Sequence, residues 1–347
     1  MAEDRQIFGA RTCLFIAAMS LGWQPLACAS DLDSCVIIHH DLAHQVGRAE
    51  SEEELEEGLV SEHGLYVATL EVGTPAQEFS AIIDTGSANL ALLGPECEGC
   101  NSVDYRPDAS SSALSSADTF DIRYGSAALE AQRYTDVIGL PCELGLEVDF
   151  GVVRQVAHLP ASILGLAYAG LAEPEGAPLT PWLDTLVDGG VLDDIFALRL
   201  CGPGESGSHL KLGGMDESVD ASQLMYTAIV EERYYAIDAP TFTLGEVELG
   251  SGAEETIVDS GTTLLMVPLG VHASLVSALK AAAEAQGVAA QIPEGVWTES
   301  PSDISARATL SESDVAAFPA LTLTLQGEAS GEPFQLQVPP EHYFRRT

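Results

Sequence analysis

From Gly64 onward the chain is built from short apolar stretches with small-residue punctuation. LYVATLEVG at 65–73 alternates and is rich in branched and aromatic residues, the signature of a half-buried strand, and GTP turns the chain. EFSAIID at 78–84 predicts a second strand running straight into an acid. Short strands broken by Gly, Pro and Ser continue to about residue 165. LTPWLDTLVDGG predicts a short helix with a glycine stop, and IFALRLCG and LKLGG predict two more strands. The second half repeats the rhythm. YYAIDAPTFTLGEVELG and ETIVDSGTT predict strands, and LGVHASLVSALKAAAEAQG is the one long helical pattern, ending at Gly287. FPALTLTL and FQLQV close the series as strands. The pattern is that of a mainly β chain in two lobes with an internal repeat of very long period.

The first 62 residues have a different character. An apolar run follows Arg11 and ends in ACAS at 27–30. That order predicts a secretory signal peptide over residues 1–29, cleaved after Ala29, with the uncleaved anchor as the alternative. Residues 30–62 are polar and end in ESEEELEEGLVSE; so dense an acid run is usually solvated and loosely ordered and is expected to be a propeptide or a linker. The lobes are then expected over 63–214 and 215–347. At 347 residues the chain is long enough for two cores. It carries 53 acidic and 14 basic residues, a net charge of −39. Such a charge disfavours nucleic acid and anionic membranes, which are bound through Lys and Arg. It fits an acidic compartment, a codon bias against Lys, or simply a highly soluble surface.

Seven cysteines are present: Cys13, Cys28, Cys35, Cys97, Cys100, Cys142 and Cys201. Removal of a leader leaves five, an odd number for an exported chain. CEGC at 97–100 could be half of a zinc site or a redox pair. It has no second C-x-x-C at a useful spacing and no βαβ context, so a small local disulfide is favoured.

The chemistry sits in two matched segments. AIIDTGSANLAL at 81–92 and TIVDSGTTLLMV at 256–267 both place an acid, Asp84 or Asp259, after two branched apolar residues and before a hydroxyl residue, a glycine and a second hydroxyl residue. A lone Asp-Ser/Thr-Gly also serves to cap a turn. Two in matching halves point to a pair. Two carboxyls within hydrogen-bond reach share a proton, so one can take a proton from water while the other protonates a peptide carbonyl. Gly86 and Gly261 would allow close backbone approach. Ser87 and Thr262 would hydrogen-bond the outer oxygens, and Thr85 and Ser260 complete the two turns.

These segments resemble the catalytic blocks of the pepsin-like aspartic proteases, and the β-secretase type most. The resemblance runs from about Gly64 to the end of the chain and implies a bilobal acid protease fold. It implies that Asp84 and Asp259 are the catalytic pair and that Ile163, Leu164 and Gly165 of SILGLAYAGLAEP close the loop around the first. LMYTAIVEERYYAI is similar to a segment of the secretase type. In FDIRYGSAALEAQ, Tyr124 and Gly125 match the flap that folds over substrate. Cys97 and Cys100 fall where the family carries a small disulfide loop.

Four departures change the expectations. The family's propeptide is basic, whereas residues 30–62 offer only His39, His40 and Arg48 as candidates to reach the acids. Leu90, Ala91 and Leu92 stand where pepsins carry a tryptophan. Met266 stands where the secretase type has an arginine and, with Leu264 and Leu265, implies an apolar subsite; Thr263 beside them is expected to meet substrate. No second apolar-apolar-Gly block and no late cysteine follow Asp259, so the second lobe is expected to be incomplete and Cys201 to lack the family's partner.

The resulting expectation is an aspartic endopeptidase with an acidic optimum, acting on peptides or proteins as a monomer in the secretory pathway, with no cofactor or metal and no nucleic acid partner. A membrane anchor would belong to a segment beyond residue 347. The alternatives are a silent peptide-binding homologue and a truncated inactive product. No N-x-[ST] acceptor occurs in the sequence.

Overall fold

The computed structural model describes residues 65–123, 128–140, 145–156, 161–201, 207–215, 224–298, 307–328 and 331–344, together with 12–17, 38–39 and 53–62. The first lobe is an eight-stranded sheet. Its order is Val60–Glu62, Leu65–Val72, Gln77–Asp84, Ser162–Gly165, Leu90–Glu98, Leu146–Val156, Ala128–Gly139 and Leu114–Arg123. Leu65–Val72 also pairs with Ala128–Gly139, Glu71 facing Gly139, so the sheet curls back on itself. Period-2 alternation explains the two faces: Ala68, Leu70 and Val72 are buried together, and Leu92, Phe150 and Leu164 join the same cluster. The opposite face packs Ala91, Leu93, Phe120, Ile122 and Val153.

The strand pairing around the first acid is a parallel insertion. Ser162–Gly165 runs parallel to Ala81–Asp84, with Gly165 in register with Asp84, and antiparallel to Leu90–Ala91. All four of its residues are buried, as befits a strand in the middle of a sheet, and the Ser162 hydroxyl is satisfied by accepting from the Leu93 N–H and donating to Asp104.

A five-stranded sheet joins Thr12–Ala17, Ile195–Leu200, His209–Leu212, Glu53–Gly58 and Ile38–His39 in that order. The acid run at 53–58 is therefore a strand, paired antiparallel to His209–Leu212 with Leu55 opposite Leu212. Strand pairing uses backbone groups, which a charge run leaves free. The Glu57 carboxylate accepts a hydrogen bond from the Thr69 N–H at 3.1 Å. Within the stretch expected to be a leader, Thr12–Ala17 runs parallel to Ile195–Leu200; the rest of that leader lies outside the described residues.

The second lobe has a three-stranded sheet, Ile229–Glu232, Tyr235–Ile237 and Thr256–Ile257, and a four-stranded sheet ordered Val247–Ser251, Thr241–Leu244, Leu321–Leu325 and Phe334–Val338. The long helix Leu269–Gln286 ends at Gly287 in the left-handed conformation (φ 75°), the glycine stop read from the sequence. It buries Val271, Leu279 and Ala283 against Phe242, Leu244, Phe318 and Leu321. The mainly β, two-lobed architecture agrees with the sequence reading.

Cys97 and Cys100 form the local disulfide. Cys201 is disulfide-bonded, and it is almost fully buried with its carbonyl accepting from the Tyr66 hydroxyl. Cys28, Cys35 and Cys142 lie outside the described residues. No helix among the described residues is long and apolar enough to cross a membrane.

Candidate active site

Asp84 ends the strand Gln77–Asp84 and Asp259 lies two residues past the strand Thr256–Ile257, and both are held by the same local bonds. After Asp84, the Gly86 N–H donates to Asp84 Oδ1 at 2.9 Å and the Ser87 hydroxyl donates to Oδ2 at 2.5 Å. After Asp259, the Gly261 N–H donates to Oδ1 at 2.8 Å and the Thr262 hydroxyl to Oδ2 at 2.6 Å. The repeat seen in the sequence is thus a repeat of geometry, down to which oxygen each donor meets.

The two turns are also tied to each other. The Thr85 N–H donates to Ser260 Oγ at 3.1 Å, and the Ser260 N–H donates to Thr85 Oγ1 at 2.9 Å. The Thr85 hydroxyl donates to the Val258 carbonyl at 3.0 Å, and the Ser260 hydroxyl donates to the Ile83 carbonyl at 2.7 Å. These reciprocal bonds join residues about 175 positions apart with pseudo-twofold symmetry and bring the carboxyls together. A Cβ added at Gly86 would sit 2.6 Å from Asp259 Cγ, and one added at Gly261 would sit 2.4 Å from Asp84 Oδ1. Each glycine is therefore the gap through which the other lobe's acid reaches the centre.

The surroundings of the two acids differ. Asp84 is 7% exposed, and Thr85, Ser87 and Asn89 are buried with it. Its loop is backed by the inserted strand: the Leu166 N–H donates to the Asp84 carbonyl at 2.8 Å, the Ala167 N–H to the Ser87 carbonyl at 2.8 Å, and the Gly165 N–H to the Asn89 carbonyl at 3.1 Å. A Cβ on Gly165 would stand 2.6–2.7 Å from the backbone of residues 87–89. Asn89 clasps the next loop, donating to the Glu173 carbonyl at 3.0 Å and accepting from the Glu173 N–H at 2.9 Å. Asp259 is half-buried, and Thr263, Leu264, Leu265 and Met266 just beyond it are exposed, Met266 to 78%.

The pKa of Asp84 is raised from the ordinary carboxylate value to about 6, chiefly by burial and also by the Asp259 charge and hydrogen bond, against the lowering by Ser87 and Gly86. One carboxyl of such a pair keeps a proton at mildly acidic pH while the other is free to accept one. Among the described residues no group of three or more His, Cys, Asp and Glu side chains is placed to hold a metal ion.

The structure brings together eight of the residues singled out in the sequence: Asp84, Thr85, Gly86 and Ser87 with Asp259, Ser260, Gly261 and Thr262. Tyr124 and Gly125 lie outside the described residues. Sequence reasoning passed over Asn89, Leu166 and Tyr235. Their one legible signal was position, beside the first motif, beside the Ile163–Gly165 block and in an aromatic doublet.

The Asp family of eukaryotic aspartyl proteases has a model that matches residues 65–343. The chain is 27% identical over 328 residues to a protein named Beta-secretase from Strongylocentrotus purpuratus, covering 85% of this chain and 60% of that relative. It is 32% identical over 233 residues to Pepsin A from Sus scrofa, covering 64% and 60%, and 31% identical over 215 residues to Gastricsin from Callithrix jacchus, covering 58% and 55%. The chain thus spans about 60% of the length of the curated relatives it matches. With two Asp-centred turns locked by reciprocal bonds and a match that runs through both lobes, the chain belongs to the eukaryotic aspartyl protease family.

Proposed function

We propose that the protein is an aspartic endopeptidase in which Asp84 and Asp259 hydrolyse peptide bonds without a covalent intermediate. The observation that carries this is the mutual fit of the two turns, each glycine leaving room for the opposite carboxyl. A substrate would lie extended between the lobes, held by main-chain hydrogen bonds. The ionised member of the pair takes a proton from a water molecule, and that oxygen bonds to the peptide carbonyl carbon. The protonated member gives its proton to the carbonyl oxygen. Collapse of the resulting gem-diol passes a proton to the amide nitrogen, breaks the C–N bond and returns the pair to its starting state.

Tyr124 and Gly125 are assigned the flap over the substrate, where a Tyr covers apolar surface and excludes water. Leu264, Leu265 and Met266, exposed directly after the second turn, are assigned to an apolar subsite, and Thr263 beside them to substrate binding. Action in the secretory pathway or in an acidic vesicle, on peptide or protein substrates and as a monomer, agrees with the acidic composition. Residues 30–62 would be a propeptide or linker.

The test is cleavage of an apolar-rich peptide library at acidic pH by the chain and by Asp84→Asn and Asp259→Asn. Each substitution should lower kcat by about 10²–10⁴-fold or more with the fold retained by circular dichroism. Activity of the parent should fall as pH rises past about 6, where Asp84 gives up its proton. Full activity in either variant sinks the assignment. Tight binding of a peptide-like transition-state mimic with no turnover would make the protein a silent peptide binder instead.

A further inference from the structure

Behind the two acids runs a ring of hydrogen bonds whose only side chain from the second lobe's sheet is that of Tyr235. The Leu166 N–H donates to the Asp84 carbonyl at 2.8 Å. The Tyr235 hydroxyl donates to the Leu166 carbonyl at 2.6 Å. The Val258 N–H donates to the Tyr235 carbonyl at 3.0 Å. The Thr85 hydroxyl donates to the Val258 carbonyl at 3.0 Å, and Thr85 is the neighbour of Asp84, so the circuit closes. We propose that Tyr235 is a positioning residue that sets the spacing of Asp84 and Asp259, because its two ends hold the backs of both turns.

Three further features support this. Tyr235 is rooted in one lobe and packed in the other. Its backbone belongs to the sheet in which Ala236 pairs with Ile257, two residues before Asp259. Its ring is fully buried in the first lobe's core, 5.0 Å from the Tyr168 ring and edge-on to Phe196 at 5.7 Å. A ring fixed by packing has little freedom to absorb displacement. The bond to Leu166 reaches the residue whose own N–H holds the Asp84 carbonyl, so a shift at Val258 is carried to Asp84 through one rigid side chain. Removing the hydroxyl would leave a carbonyl facing the buried ring without that donor, and the loop would move to find another.

This inference rests on the aspartic endopeptidase reading, and its test separates the two. Tyr235→Phe keeps the ring and removes only the hydroxyl. Its kcat should fall about 10- to 100-fold, the scale of a small misplacement of reacting groups, with KM within about twofold of the parent. In ¹³C-aspartate-labelled chain the midpoint of the Asp84 carboxyl titration should move down as Asp259 draws away. Incorporating 4-aminophenylalanine at position 235 restores a donor at the ring's tip and should recover part of kcat. A Tyr235→Phe chain with the parent's kcat and the parent's carboxyl titration, and only a lower Tm, overturns the proposal and leaves Tyr235 a packing residue. If the parent does not cleave peptides, the endopeptidase reading fails. The carboxyl titration then still decides for or against the circuit.

Discussion

At the scale of single residues, the smallest side chains are the most constrained. Gly86 and Gly261 face the opposite acid so closely that a methyl group would overlap a carboxyl. The carboxyls have little slack, since each is held through both oxygens by its own turn. Gly261→Ala is therefore expected to lower kcat about 100-fold by displacing Asp84, at a stability cost of about 1–3 kcal/mol for the overpacking. Steady-state kinetics and urea unfolding of the variant check both. A variant as active as the parent would mean that the acids do not approach as described. Much of this was legible beforehand, because Asp-Thr-Gly-Ser and Asp-Ser-Gly-Thr state the donors in order. What was not legible is which glycine protects which acid, since Gly86 faces Asp259 and Gly261 faces Asp84, each in the opposite half of the chain.

Among the elements, the strand Ser162–Gly165 and its surroundings decide how firmly the first acid is held. It lies between Gln77–Asp84 and Leu90–Glu98, and its last residue meets residues 87–89 at backbone contact distance. Asn89 extends that frame by two bonds to the backbone of Glu173. Asn89→Ala leaves the half-buried Glu173 N–H and carbonyl without those partners, so it should destabilise the protein by about 1–2 kcal/mol, read as a lower urea midpoint at unchanged m-value. An unchanged midpoint would show that the clasp contributes nothing. Around Asp259 the described strand, Thr256–Ile257, is two residues long and pairs with Tyr235–Ile237 alone, and Leu264, Leu265 and Met266 stay exposed. The strands themselves were largely legible from alternation and turn residues, and the long helix from its periodicity and glycine stop. The strand at Glu53–Gly58 was not. Its side chains argue for solvation, and what holds it is an edge offered by His209–Leu212, some 150 residues further on.

For the whole molecule, the fold and the charge bear on one measurable quantity, stability against pH. The chain carries a net charge of −39 at neutrality, and self-repulsion of that size weakens a compact state. Asp84 is raised to about 6 in the folded protein, chiefly by burial. Glu57, in the strand that joins the acid run to the five-stranded sheet, is also raised, again chiefly by burial. A carboxyl with a raised folded pKa favours the folded state fully below its unfolded pKa, and that contribution is lost as pH rises through the folded value. For Asp84 the window runs from 3.8 to about 6. Asp136 and Asp149 work the other way. Burial pushes each of them up, but hydrogen bonds from Ser112 and Tyr105 to Asp136, and from Thr135 and Arg133 to Asp149, outweigh it and lower both. Their contribution is present above the unfolded value of 3.8 and disappears as pH falls below it. The protein should therefore be more stable at pH 5 than at pH 7.5, by about 1 kcal/mol from Asp84 alone and more from relief of repulsion, and should weaken again below about pH 3.5. Urea unfolding across this range measures the curve, and Asp84→Asn identifies the part due to the pair by flattening the rise between pH 7.5 and 5. A parent curve that climbs steadily toward pH 7.5 would show that Asp84 is not held against its neighbour in a buried site, and the arrangement of the two acids would have to be drawn differently.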